Sequence, residues 1–237
     1  MIFTAAPHAH SSALCGYSPL MLFKTPPGVY APQDDTWMLA EALLREDITA
    51  GTAVLDVGTG SGALALVAAG RGAAQVTAVD VSPLAVGATW LRARLKGLPV
   101  RVLHGDLLTP VAGRGFDLIV ANPPYVPVAG RRARRGRGLA WRAGADGRAV
   151  LDRICRDAPP LLRPGGVLLL VHSALSGTER TLAQLTASGL RAEVADRRTI
   201  PFGPVLRAQA PWLEARGLIA PGETKEELVV IRAERRT

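Results

Sequence analysis

Residues 122–125 read Asn122-Pro123-Pro124-Tyr125 and close an apolar run, Phe116-Asp117-Leu118-Ile119-Val120-Ala121. An Asn side-chain oxygen and a neighbouring backbone carbonyl can together accept both hydrogens of one planar NH2 group. Pro123 and Pro124 carry no backbone donor and stiffen the turn. Tyr125 offers a ring face on which a flat substrate group can stack. Such a constellation suits holding an amide or an exocyclic amine for attack on an electrophile. The plain alternative is a proline-rich turn that ends a strand.

A second motif lies upstream. Val54-Leu55-Asp56-Val57 runs into Gly58-Thr59-Gly60-Ser61-Gly62, and an Ala-rich segment from Ala63 to Gly70 follows. Glycines here permit a tight turn and close backbone approach to a nucleotide-like ligand. Gln75–Val79 reads as a second strand, and Asp80 ends it 18 positions after Gly62, where a ribose-binding carboxylate is expected. Gly58, Gly60 and Ala63 also satisfy a relaxed dehydrogenase fingerprint. That reading leaves residues 122–125 unexplained. Asp56 before the turn suits a ligand with a cationic amino acid group, such as S-adenosylmethionine, better than a pyrophosphate.

The elements that must carry these residues alternate. Asp34 to Arg45 reads as an amphipathic helix capped by its acids. Strands are expected at Ala53–Val57, Gln75–Val79, Val100–His104, Phe116–Ala121, Val167–Val171, Arg191–Asp196 and Leu228–Arg232. Ser82-Pro83 starts a helix that runs to Lys96, and Gly97 ends it. Arg148 to Leu162 is expected to be helical, stopped by Arg163-Pro164-Gly165-Gly166, and Thr178–Ser188 is another helix. This is an α/β pattern with a mostly parallel sheet and helices on both faces. Asp56, Asp80, Asp106 and Asn122 then fall at four strand ends, where open parallel sheets bind ligands. Each also has a bland reading, as a helix cap or a turn residue.

The combined motifs, with His104-Gly105-Asp106-Leu107, resemble class I S-adenosylmethionine-dependent methyltransferases that methylate nitrogen. Within that group the chain is similar to the HemK family of glutamine methyltransferases. Pro27 to Trp37, Trp141 and Gly144-Ala145-Asp146-Gly147-Arg148 resemble the short HemK2/Mtq2-type branch, which lacks a long helical N-terminal domain. The resemblance implies a seven-stranded Rossmann-like sheet with the last strand antiparallel. It implies S-adenosylmethionine as cofactor. Asp56, Gly58, Gly60 and Thr36 would hold its methionine part, Asp80 its ribose, and Val81, Asp106 and Leu107 its adenine. Asn122, which would also contact the cofactor, and the Pro123 carbonyl would hold the acceptor NH2 in line with the methyl group, with Tyr125 packed beside it. The implied substrate is a side-chain amide, Gln of a translation release factor. A nucleic acid base amine and a small molecule or peptide are the alternatives, though a duplex base would need flipping. A small activating partner subunit is a further expectation of this branch.

The 237 residues and the 48% hydrophobic content suit one α/β domain. No apolar run approaches the roughly 20 residues of a membrane helix. Cys15 and Cys155 make neither a disulfide framework nor a metal site, and a reducing cytoplasm is the expected compartment. Residues 1–20 read as a disordered tail or non-native extension, with Met21 as the natural start and 21–237 as the domain. His8, His10 and Cys15 are tail residues rather than metal ligands. The net charge of +8 favours acidic partners electrostatically, but the Ala-, Gly- and Arg-rich composition discounts it. Arg131 to Arg142 holds six arginines directly after the Asn122 turn. It reads either as a solvated loop or as a lid that attracts an acidic or nucleic acid partner. Pro201 to Gly222 reads either as a substrate-recognition insert or as a cover on the sheet edge.

Overall fold

Short apolar runs build the centre of the sheet. In the computed structural model, which describes residues 25–129 and 143–237, β1 (Ala53–Val57) is buried at every position. Full burial on both faces is what a continuous Val/Leu run in a parallel sheet requires. β2 (Gln75–Asp80), β3 (Val100–His104), β4 (Phe116–Ala121), β5 (Leu162–Ser173), β6 (Leu190–Pro201) and β7 (Lys225–Arg235) complete seven strands. Their order is β3-β2-β1-β4-β5-β7-β6. β1 to β5 pair in parallel, and β7 runs antiparallel between β5 and β6. The expected seven-stranded, mostly parallel α/β sheet with its last strand antiparallel is therefore present.

The chain runs outward from β1 to β3, then returns to place β4 on the other side of β1. That reversal opens a crevice at the carboxyl ends of β1 and β4. In register, Val57 lies opposite both Val79 and Ala121. The residues that follow these strands therefore emerge at one edge of the sheet.

Helices α1 (Asp34–Arg45), α2 (Ala63–Gly70), α3 (Pro83–Leu95), α4 (Leu151–Asp157), α5 (Thr178–Ala187) and α6 (Pro204–Ala215) surround the sheet. α1 lies across β5, β6 and β7, with Met38, Leu39 and Leu43 fully buried. Glu41 and the C-cap Glu46 tie it to the far strands, Glu41 to Arg198 at 2.9 Å and Glu46 to Arg232 at 2.8 Å. The edge strand β6 alternates exposed and half-buried residues. Its arginines pair with β7 glutamates, which blunts an open edge.

Five elements differ from the sequence expectation. The helix expected from Arg148 to Leu162 is only α4, followed by a 3-10 turn at Pro159–Leu161. Asp146 holds the Arg148 amide in a turn before it, and Pro159-Pro160 remove two donors after it. The expected stop at residues 163–166 is instead the start of β5, with a register shift opposite Phe116 and Leu118. β6 and β7 both run well past the expected Arg191–Asp196 and Leu228–Arg232. Pairing with each other sustains polar stretches that show no apolar signal. The acids expected to cap α1 do not do so: its N-cap is Gln33, without a side-chain cap bond. The tail (1–20), Met21, the Arg131–Arg142 loop and Trp141 lie outside the described residues.

Candidate active site

The glycine turn after β1 is fixed from below by Asp56. Its Oδ2 accepts from the Thr59 hydroxyl at 2.6 Å and from the Ala65 amide at 3.0 Å. Asp56 is 1% exposed, and Oδ1 has no partner among the described residues. Burial pushes its carboxyl up to about 7, against the pull of those two bonds. Asp80 stands on the opposite side of the turn. Its Oδ2 accepts from the Gly60 amide and its Oδ1 from the Ser82 amide, both at 2.8 Å. Gly58 and Thr59 donate to the Val79 carbonyl, so the turn is stitched to the end of β2.

Asn122 follows β4 directly. Its Nδ2 donates to the Thr36 hydroxyl at 3.0 Å, and the same side chain stands near the Tyr30 hydroxyl. Thr36 is buried and is in turn held by Asp35, which accepts from its amide at 2.6 Å. Asp35 also accepts from the Tyr30 hydroxyl at 2.6 Å and the Tyr125 hydroxyl at 3.0 Å. Burial, with the Asp35 charge next, holds both phenols well above their ordinary range, so they stay donors. The Tyr125 carbonyl accepts from Ser176 Oγ at 2.7 Å. Gly147 backs onto that carbonyl so closely that a Cβ there would collide with it. Arg148, 2% exposed, bonds the Ser176 and Gly177 carbonyls, Thr181, Gln184 and Asp152. The Gly144-Ala145-Asp146-Gly147-Arg148 segment therefore braces the Asn-Pro-Pro-Tyr turn.

After β3, Asp106 and Arg153 form a two-pronged ion pair at 2.7 and 3.2 Å. Leu107 has φ of +49°, the only positive value for a non-glycine among the described residues. A leucine in that region stores strain of about 1–3 kcal/mol, which marks a functional constraint more often than a packing one. Val81 is 39% exposed, unusual for a valine directly after a central strand.

These groups share a cavity of about 510 Å³. Gly58, Gly60, Asp80, Val81, Asp106 and Leu107 line one end. Asn122, Pro123, Tyr125, Tyr30, Asp35 and Glu226 line the other. Of the residues expected at the site, Thr36 and Asp56 stand behind the wall, and the rest are on it. Ile200, Pro201, Val205 and Leu206 form a collar from the end of β6 and from α6. Phe202, Leu206, Leu213 and Ile219 pack as a separate cluster that holds α6 in place. The Pro201–Gly222 segment is thus a helix-bearing insert that walls the cavity.

Sequence reasoning did not single out Tyr30, Asp35, Arg153 or Glu226 for the site. Glu226 sits among Glu223, Lys225 and Glu227, but its parity matches the buried Leu228 and Val230 of β7. A charge in the buried phase of a strand was the available signal.

Residues 21–137 match the family described as the methyltransferase small domain. A release factor glutamine methyltransferase of Mycolicibacterium smegmatis is 32% identical over 207 residues, covering 84% of this chain and 72% of that protein. A protein of Methanocaldococcus jannaschii named "Putative protein N5-glutamine methyltransferase" is 33% identical over 180 residues, covering 76% of this chain and 89% of its own. The chain belongs to the protein glutamine methyltransferase family. The sequence resemblance to that family, and the S-adenosylmethionine-dependent methyltransferase activity it implied, stand. Against the release factor glutamine methyltransferase of Moorella thermoacetica, 41% identical over 157 residues, the chain spans 56% of the relative's length. Among solved structures, the E. cuniculi Mtq2-Trm112 complex aligns with TM-score 0.62 and 23% identity over 88% of this chain and 99% of that one. A T. thermophilus 16S rRNA methyltransferase in complex with AdoMet and guanosine aligns with TM-score 0.56 and 24% identity, covering 87% of this chain and 44% of that one. Both share the class I fold with this glutamine methyltransferase family member.

The family's cofactor, S-adenosylmethionine, fits the groups present. A Cβ on Gly58 would meet no atom within 4 Å, so the backbone there is bare toward the cavity it lines. The Asp80 carboxylate lies on the same wall with acceptor capacity left for hydroxyls.

Proposed function

We propose that this methyltransferase acts on the side-chain amide of Gln in a translation release factor. One observation carries the reading. Asn122 commits its NH2 group to Thr36, which leaves its Oδ1 free to accept, and Asn122 and Pro123 line the cavity wall together. A site so arranged asks for a donor NH2 group. The names of the bacterial relatives supply the substrate class.

Gly58, Gly60 and Asp80 would hold the cofactor, with Asp56 shaping the turn behind them and Val81, Asp106 and Leu107 flanking the adenine. When bound, it supplies an electrophilic methyl group on a sulfonium. Asn122 Oδ1 and the Pro123 carbonyl each accept one N–H of the acceptor amide. An amide nitrogen is a weak nucleophile, because its lone pair is delocalised into the carbonyl. The two oxygens fix its direction and stabilise the positive charge that grows on it during transfer. The proton leaves afterwards, so no base is needed first. The collar of Ile200, Pro201, Val205 and Leu206 excludes water around the acceptor, which strengthens both contacts.

A small partner subunit is part of the same reading. Leu84, Leu91 and Leu95 are exposed on one face of α3. They adjoin β3, the outer strand of the sheet, against which α3 packs. An apolar stripe beside an unpaired strand edge suits a covering protein. The E. cuniculi neighbour is described as a complex with Trm112. Among the described residues, no helix is long and apolar enough to cross a membrane, and a cytoplasmic enzyme of translation is the compartment we propose.

The test is transfer of labelled methyl from S-adenosylmethionine into a cell extract, followed by separate protease and nuclease digestion. Label lost to protease and mapped to a release-factor Gln is the expected result. Label lost to nuclease would overturn the reading.

A further inference from the structure

Among the described residues, Glu226 is a carboxylate on the acceptor end of the cavity whose bonds are incomplete. It sits on β7, is 6% exposed and lines the wall with Asn122 and Pro123. Ser173, at the end of β5, stands close enough to favour its charged form. Its Oε2 is buried with no partner among the described residues. Among the described residues, no cation forms an ion pair with it. Arg198, the nearest arginine in register on β6, is committed to Glu41 at 2.9 Å and to Asp196 at 3.6 Å. From α1, Asp35 faces it with the same sign of charge, and Tyr30 and Tyr125 stand near enough to feel its field.

A primary amide brings three polar positions into the cavity: two N–H groups and one carbonyl oxygen. Under the reading above, Asn122 and Pro123 take the two N–H groups. The carbonyl oxygen still needs a donor in a site that excludes water. The nearby hydroxyls do not supply one, since Tyr30 and Tyr125 both donate to Asp35. We propose that Glu226, as a protonated carboxylic acid, donates from Oε2 to the carbonyl oxygen of the acceptor amide. Asn122 and Pro123 then read the NH2 group, and Glu226 reads the carbonyl beside it. Together they distinguish a carboxamide from an amine or an ammonium group. Burial, with the Asp35 charge adding to it, pushes the Glu226 carboxyl up to about 7, so the acid form is populated at neutral pH. The donor role also gives a buried, unpaired acid oxygen a partner whenever substrate is bound.

This inference rests on the amide-acceptor reading, and the experiment separates the two. Methyl transfer to a recombinant release factor is measured with the full chain from about pH 5.5 to 8.5, bracketing the titration that a bell or slope would report. Wild type, Glu226→Gln and Glu226→Ala are compared, with cofactor Kd by calorimetry and melting temperature as a check on folding. The Gln side chain keeps a donor and cannot titrate. Wild-type kcat/KM for the release factor is expected to fall above about pH 7, where the donor proton is lost. Glu226→Gln should keep activity within about threefold and lose that fall, because an amide donor replaces the acid. Glu226→Ala should raise KM by on the order of tenfold, the worth of one hydrogen bond to a buried acceptor. Cofactor Kd should stay unchanged in both variants. An Ala variant that folds and keeps its KM overturns the inference. So does wild-type activity that rises through pH 7, which would make Glu226 a base, or a Gln variant that retains the fall. No transfer by wild type to the release factor overturns the amide-acceptor reading and this inference with it.

Discussion

Asp80 already takes one backbone amide on each oxygen, and each oxygen has a lone pair left. Removing it should therefore weaken cofactor binding more than catalysis. Asp80→Ala is expected to raise the cofactor Kd by about 10- to 100-fold, roughly 1.4–2.7 kcal/mol, by calorimetry. Turnover at saturating cofactor should change by less than about threefold, because the acceptor contacts are untouched. Asp35 works at the other end. Asp35→Asn replaces a charged acceptor for two phenols and Thr36 with a neutral one. We expect kcat to fall by about tenfold, in line with about 1.4 kcal/mol lost where charge-assisted bonds become neutral, with cofactor Kd unchanged. At this scale Asp80, Asp106 and Asn122 could be read from sequence because each directly follows a strand, which fixes its edge of the sheet. The Tyr125–Asp35 bond joins residues 90 apart in sequence, so no local pattern announces it. Thr36 was expected near the cofactor's carboxylate, and its hydroxyl accepts from Asn122. Its spacing to Asn122 is likewise set only by tertiary packing.

Among the elements, the glycine turn and α3 are in close contact. Gly62 has φ of +86°, and a Cβ there would lie 2.8 Å from the Thr89 methyl. Thr89 is fully buried and donates to the Gly60 carbonyl at 3.2 Å, while Arg92 donates to the Ser61 carbonyl at 2.6 Å. Gly62→Ala thus combines a left-handed backbone with a clash. It is expected to cost about 2–3 kcal/mol by chemical denaturation, and to weaken cofactor binding because the turn moves. A destabilisation below about 0.5 kcal/mol would mean that α3 yields freely there. β1, β3, β4 and α3 were readable almost to the residue, since apolar runs, Ser82-Pro83 and Gly97 punctuate them. β6, β7 and α4 were not. The outer strands are long because they pair with each other, and their charged, alternating residues give little hydrophobic signal. α4 is short because Asp146 and the two prolines bound it, features that compete with an otherwise helical composition.

At the scale of the whole molecule, three buried ionisable groups shape stability against pH. Asp56 and Glu226 are both raised to about 7, so the native state binds more protons than the unfolded chain. Their contribution is greatest near pH 4 and falls as pH rises through about 7. Burial pushes His172 down to about 4, and it acts in the opposite sense: its contribution is lost as pH falls below its unfolded value near 6.5. Asp56→Asn isolates one of these. The amide oxygen can keep the bonds from Thr59 and Ala65, and no charge is buried. Without cofactor, the variant should melt no lower than wild type at about pH 8, with each kcal/mol relieved worth about 3 °C. That advantage should vanish near pH 5. A variant that melts lower at both values would show that the charge is not what strains the turn. The antiparallel last strand followed from family resemblance more than from pattern, because alternating strands and helices fix parallel pairing but not the one reversed strand. The central claim is that Asn122 holds the acceptor nitrogen rather than the cofactor. The measurement that meets it most directly is methyl transfer to a release factor by wild type and Asn122→Ala, with cofactor Kd measured on the same samples. The account expects turnover to fall by about 10²- to 10³-fold, as when one preorganised transition-state contact is lost, while cofactor Kd stays within about threefold. Equal turnover by the two proteins, or a loss explained wholly by weaker cofactor binding, would contradict it.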